Sequence, residues 1–247
     1  MKKLFIGLLF LCSSLLAQDI TVALAANVSY AMDELKSAFY KEYPNLKLRI
    51  IIGGSGKLTA QIKNGAPYDI FMSANMLYPE ALYKEELARN KPQIYAKGAL
   101  AILSKKKRDF SQGIAVVEDA TIQHIAMANP KTAPYGKATL QALKNAKLYK
   151  KIKPKLIFGE SIAQTVSYTL TAADIGFIAK SALYSPKMKN FKEGENWIAI
   201  EPTLYTPISQ GIVILKHAKN IQDAQHFYDF ILSDKAKSIL KKYGYQI

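Results

Sequence analysis

Cysteine is almost missing from this chain: Cys12 is the only one among 247 residues. With cleavage after Ala17 the mature chain has none, and disulfides and thiolate catalysis are then excluded. Histidine is scarce as well. His124, His217 and His226 lack metal-ligand spacing and read as surface or core residues. After the first 17 residues, no stretch approaches the roughly 18 uninterrupted apolar residues that a membrane span needs. No period of about 20 to 50 residues recurs, which argues against a solenoid. No Gly/Ser-rich linker divides the chain, so any two-lobed arrangement must be joined by ordered strands. Acidic side chains are few, 19 against 34 basic ones, for a net charge of +15. That balance attracts nucleic acid, an anionic surface or a small anion.

Hydrophobic residues make up 49% of the chain and charged residues 21%, enough to bury a sizeable core and to exclude disorder. Met1-Lys2-Lys3 followed by LFIGLLFLCSSLLA, Leu4 to Ala17, reads as a secretory signal peptide. Cleavage is expected after Ala17. Lipidation at Cys12 is the alternative, and Leu11 argues against it because the preceding position is normally small. Without Lys2 and Lys3 the 34 basic side chains fall to 32 against 19 acidic ones, a net charge of +13 on an exported protein. Export removes nucleic acid as a partner.

Strand-like and helical segments then alternate, which predicts an α/β protein with parallel sheets. Strands are expected at 20–25, 46–52, 69–72, 99–103, 125–128, 155–158, 175–178 and 208–215. Helices are expected at 29–43, 57–64, 78–87, 137–145, 162–171, 221–232 and 234–243.

Four turns enter helices in this pattern. Gly53-Gly54-Ser55-Gly56-Lys57-Leu58 resembles a nucleotide phosphate loop but fails it, since position 51 is Ile and Leu58 offers no hydroxyl. What survives is a glycine-sharpened turn whose N–H groups and helix dipole suit an anion; a plain tight turn is the alternative. Asn27 precedes the first helix, either as an anion donor or as an ordinary N-cap. Pro134-Tyr135-Gly136 and Gly159-Glu160-Ser161-Ile162 are the other two. The carboxyl ends of parallel strands face a common crevice, so the four can converge on one anion. Ser238 and Lys241, an S-x-x-K string, fall on a solvated basic helix face. The 15 tyrosines contain no adjacent pair, which disfavours ferric-ion binding.

The stretch GSGKLTAQIKNGAPYDIFMSA, Gly54 to Ala74, resembles the signature of exported molybdate-binding proteins, the solute receptors of ABC importers. Val22 to Met32, Asn129 to Leu140, Asp174 to Ile178 and Lys242-Tyr243-Gly244-Tyr245 correspond as well, so the likeness covers essentially the whole mature chain. The resemblance implies a two-lobed periplasmic-binding-protein fold, each lobe a mostly parallel sheet flanked by helices, with the ligand cleft between them. The expected division is 1–17 signal peptide, 18–97 first lobe, 98–206 second lobe and 207–247 first lobe again. It further implies a non-enzymatic, monomeric receptor without cofactor. Such a receptor holds molybdate or tungstate as an oxyanion, not a bare metal cation, and delivers it to a membrane permease. Carried over by position, Asn27 and Ser55 donate from the first lobe by side chain and main chain, and Tyr135 and Ile162 donate backbone N–H groups from the second. Ala179 departs from the pattern, standing where some relatives place a tyrosine whose hydroxyl reaches the anion; Tyr135 is then expected to cover the ligand. The alternatives are a receptor for tungstate alone, sulfate or phosphate, or an exported hydrolase using Ser55, which has no neighbouring base in sequence.

Overall fold

The computed structural model describes residues 19–247; the expected signal peptide and Cys12 lie outside them. The elements in chain order are β1 (Ile20–Ala25), α1 (Met32–Glu42), β2 (Leu48–Gly53), α2 (Ser55–Lys63), β3 (Ile70–Met72), α3 (Leu77–Lys84), β4 (Gln93–Gly98) and β5 (Leu100–Leu103). They continue with β6 (Ile125–Ala128), α4 (Pro134–Asn145), α5 (Tyr149–Ile152), β7 (Leu156–Gly159), α6 (Ile162–Thr171), β8 (Ile175–Ala179), β9 (Trp197–Ala199), β10 (Ile208–Ile214), α7 (Ile221–Leu232) and α8 (Asp234–Lys242).

Two five-stranded sheets result, ordered β2-β1-β3-β10-β4 and β7-β6-β8-β5-β9. In the first, β1 pairs parallel with β2 and β3, and β10 pairs antiparallel with β3 and β4. In the second, β6 pairs parallel with β7 and β8, and β5 pairs antiparallel with β8 and β9. In each sheet, then, a single strand opposes the other four. That strand, β10 or β5, directly follows a passage of the chain from one sheet to the other. Ala99 alone separates β4 from β5, and residues 200–207 lead from β9 back to β10. Two short connections thus join the lobes.

Helices cover the sheets as the apolar pattern dictates. Leu35 and Phe39 of α1 meet Phe227 and Phe230 of α7 and Ile239 and Leu240 of α8 on one face of the first sheet. Leu58 and Ile62 of α2 and Leu82 of α3 cover the other face. In the second lobe Ala138, Ala142 and Leu143 of α4 and Ile152 of α5 form the larger core. Val166 of α6 packs with Ala101, Leu103 and Ile178 on the opposite face. These side chains are almost fully withdrawn from water, and removal of apolar surface is what holds each layer in place.

Helix starts differ from expectation at the points that matter for the site. Helix α2 begins at Ser55, not Lys57, and α4 begins at Pro134, not Lys137. Helix α1 begins later, at Met32, after a run of turns. Strands β4 and β9 and the one-turn α5 were not expected.

Candidate functional site

The carboxyl ends of β1 and β2 lie side by side, as do those of β6 and β7. Between the two pairs sits a small cavity lined by Ala25, Ala26, Asn27, Gly53, Gly54, Ser55, Ala74, Ala133, Pro134, Tyr135 and Ile162. All four residues singled out by sequence are in this lining. Asn27, Ser55, Tyr135 and Ile162 are brought together from both lobes, and each is at most 4% exposed.

Three of the four are first-turn residues of helices. Ser55 opens α2, Tyr135 follows Pro134 at the start of α4, and Ile162 opens α6. Backbone N–H groups in a first turn have no intrahelical acceptor. Among the described residues the N–H groups of Asn27, Ser55, Tyr135 and Ile162 donate to no other protein atom. The Ser55 hydroxyl accepts from the Ala74 N–H at 2.9 Å, which leaves its own proton available to a ligand. The cavity therefore presents donors from the N-termini of three helices, whose dipoles add positive potential at one spot.

The composition of those helix ends is unusual. Helices α1, α3, α7 and α8 each carry an acidic residue in the first turn: Asp33 and Glu34, Glu80, Asp223, and Asp234. Helices α2, α4 and α6 carry none. Acidic first-turn side chains stabilise a helix by neutralising its positive end; here that end is left unneutralised wherever it faces the cavity. The N-caps of α2 and α4, Gly54 and Ala133, make no side-chain cap. No Lys, Arg or His lines the cavity. A ligand there meets neutral donors only, which is the chemistry of an oxyanion and not of a bare cation. Among the described residues no cluster of three or more His, Cys, Asp or Glu is placed to hold a metal ion.

Asn27 is not an N-cap. Ala31 holds that place for α1, and the Asn27 amide turns instead into a buried polar cluster. Its Nδ2 donates to Gln210 Oε1 at 2.7 Å and to the Tyr245 hydroxyl at 2.9 Å, with the Tyr135 hydroxyl at 3.5 Å. Its Oδ1 is buried and meets no protein donor. The side chain is thus committed to the cluster, and the backbone N–H is the donor left for the cavity. The Tyr95 hydroxyl donates to Gln210 Oε1 at 2.9 Å. Burial pushes the Tyr245 and Tyr30 hydroxyls up to about 12. Burial, followed by the neighbouring tyrosines, holds Tyr135 and Tyr95 well above the usual phenol range. The hydroxyls of this cluster keep their protons at physiological pH.

Tyr135 does not hang over the cavity with a free hydroxyl. That hydroxyl lies between Asn27 Nδ2 and Gln210 Nε2 and rests against Gly98, where an added Cβ would collide with it. Ala179 is fully buried at the end of β8 and is not part of the lining. Sequence reasoning missed Gln210, Tyr95 and Ser181. Gln210 did leave a trace, a lone long polar side chain inside the apolar run of β10.

Contacts across the cleft hold the lobes together. The Gly56 N–H donates to the Thr132 carbonyl at 2.9 Å. A Cβ on Gly54 would lie 2.9 Å from the Glu160 carbonyl, so only glycine permits this approach. At the mouth Lys57 and Glu160 face each other at 3.8 Å, an exposed pair of small energetic weight.

Comparison with known proteins places this geometry. The model of the bacterial extracellular solute-binding protein family matches residues 20–246. The chain is 36% identical to the molybdate-binding protein ModA of Azotobacter vinelandii, over 93% of this chain and 90% of that one. It is 32% identical to the ModA of Rhodobacter capsulatus, over 93% and 88%. The solved periplasmic molybdate-binding protein of Azotobacter vinelandii superposes with a TM-score of 0.86 at 32% identity, covering 93% of this chain and 99% of that one.

Proposed function

Because the chain belongs to the family of bacterial extracellular solute-binding proteins, we propose that it captures molybdate, and tungstate with it, and delivers the anion to the permease of an ABC importer. It is a transport receptor and not an enzyme. The observation that carries the reading is the convergence of the Asn27, Ser55, Tyr135 and Ile162 N–H groups and the Ser55 hydroxyl on one cation-free cavity between lobes. The relatives named for molybdate support the identity of the anion.

A buried dianion needs each oxygen met by donors, and fixed N–H groups do this with little reorganisation. Charge-assisted bonds of this kind contribute roughly 1.5 to 3 kcal/mol each. Selection against sulfate follows from size. Molybdate and tungstate share its charge and shape but are larger, so a cavity fixed at their dimensions leaves the bonds to sulfate stretched. The excess of basic side chains over the whole chain raises the local concentration of anions without placing a cation in the site.

The chain acts as a monomer in the periplasm after removal of residues 1–17. Its lobes divide as 18–97 with 207–247, and 98–206. A thermal-shift and calorimetric panel of molybdate, tungstate, sulfate and phosphate tests the reading. Molybdate or tungstate at about 100 times its Kd adds about 2.7 kcal/mol of stability, while sulfate at equal concentration does little. Equal shifts with sulfate or phosphate would overturn the size selection.

A further inference from the structure

The turn that carries Asn27 is gripped from both lobes at a single atom. The carbonyl oxygen of Asn27 accepts from the Tyr245 hydroxyl at 2.8 Å and from Ser181 Oγ at 3.0 Å. Tyr245 belongs to the C-terminal tail beyond α8, which is tied to β4 by paired backbone hydrogen bonds between Lys97 and Gln246. Ser181 belongs to the 3-10 turn Lys180–Tyr184, which follows β8 in the other sheet. Both side chains are buried, with Ser181 3% exposed. The same 3-10 turn touches the tail again: the ring of Tyr184 packs on Gly244, whose φ of +76° and lack of a Cβ make room for it. Three residues further along the Asn27 turn is Tyr30, whose ring packs on the second-lobe cluster containing Ala182 and Leu183.

We propose that Ser181 is a positioning residue for closure, its hydroxyl latching the second lobe onto the Asn27 carbonyl while Tyr245 holds that carbonyl from the first lobe. Neither hydroxyl lines the cavity; they act on the anion through the Asn27 turn. The Tyr245 contact lies within one lobe and persists when the lobes part. The Ser181 contact spans the lobes and forms only on closing. A bond made only in the closed form adds to the lifetime of the complex and leaves the encounter with the open form unchanged.

The inference rests on the reading of the cavity as an oxyanion site, and rapid-mixing kinetics with molybdate on the full mature chain separates the two. Ser181→Ala is expected to raise the dissociation rate about three- to tenfold, the value of one buried hydrogen bond, with the association rate unchanged. Small-angle scattering of the ligand-free protein gives a second readout: Ser181→Ala shifts the population toward the open form and increases the radius of gyration. If the wild type binds none of molybdate, tungstate, sulfate and phosphate, the functional reading falls, and ligand-free scattering then decides the latch. A wild-type dissociation rate in the variant, or for a non-binding chain a wild-type radius, overturns it.

Discussion

At the scale of single residues, Ser55 shows how one side chain serves the ligand and the fold together. Its hydroxyl offers a proton to the cavity while accepting from the buried Ala74 N–H. Ser55→Ala should therefore weaken molybdate binding by about 1.5 to 3 kcal/mol, measured by calorimetry. It should also lower the unfolding free energy by about 1 to 3 kcal/mol, because the Ala74 amide loses its acceptor. Unchanged affinity with lowered stability would make Ser55 a turn residue only. Tyr245 gives a second measurable consequence. Its hydroxyl is raised by burial from 10.0 to about 12. Between those values the unfolded chain has lost the proton that the native chain retains, so the unfolded state binds fewer protons and stability falls as pH rises. The contribution of Tyr245 is complete below pH 10 and is lost on the way to about 12. Denaturant titrations from pH 8 to 11 should show flat stability followed by a decline, and the decline should be shallower in Tyr245→Phe. Oxyanion affinity should stay level across pH 6 to 9, since no lining residue carries a titrating cation.

At the scale of elements, the three helices that address the cavity have no acidic first turn, a feature they share among the described helices only with the one-turn α5, and α2 and α4 also lack side-chain caps. Lys137, exposed and one turn into α4, tests whether the dipole matters. Lys137→Glu places a negative charge where it ordinarily favours a helix. It should leave the thermal stability of the ligand-free protein unchanged or slightly higher, yet weaken molybdate binding about two- to fivefold at low salt, with the loss shrinking as ionic strength rises. Equal affinity at low salt would remove the dipole from the account. The same feature explains where the sequence misled. Helix starts are recognised by Ser, Thr, Asp or Asn caps and acidic first turns. Gly54 and Ala133 supply no such signal, so α2 and α4 read as starting two and three residues late, with Ser55 and Tyr135 left in the preceding turns. Strand β9 is three residues long, too short for a period of two to show. In β4 the alternation is broken opposite the register shift between Gln210 and Gly211, so Gln93 to Gly98 did not read as a strand. By contrast β6 and β8 are unbroken apolar runs buried on both faces and β1 is interrupted only by the half-buried Thr21, and the four lining positions were legible because each follows a strand that such runs, or glycines, made plain. The Gln210, Tyr95 and Ser181 contacts were not legible. They join residues between 115 and 183 positions apart, and no local pattern encodes such partners.

At the scale of the whole molecule, the donors are divided between lobes, so neither lobe alone surrounds an anion. Asn27 and Ser55 stand on the first sheet, Tyr135 and Ile162 on the second. A ligand that bonds to both has differential affinity for the closed form and must shift the population toward it. The radius of gyration should fall when molybdate is added and stay constant with sulfate at the same concentration; an unchanged radius despite saturating molybdate would confine the site to one lobe and remove Tyr135 and Ile162 from it. The motion has to be absorbed at Ala99 and in residues 200–207, the only places where the described chain passes between sheets. Gly98, beside the first passage, is expected to take more of the rotation than Pro207, whose ring fixes φ. Gly98 has a second role in the closed form, because the Tyr135 hydroxyl seats against it so closely that a Cβ would have no room. Gly98→Ala should therefore weaken molybdate binding at least tenfold while leaving each lobe folded: the added methyl blocks Tyr135, and with it the start of α4, from reaching its place. Tyr135→Phe in the Gly98→Ala background separates the two roles. Removing the hydroxyl relieves the closest of three overlaps, with Tyr135 Cζ and Gln210 Nε2 still 2.9 Å from the methyl, so recovery of part of the lost affinity marks the obstruction as steric.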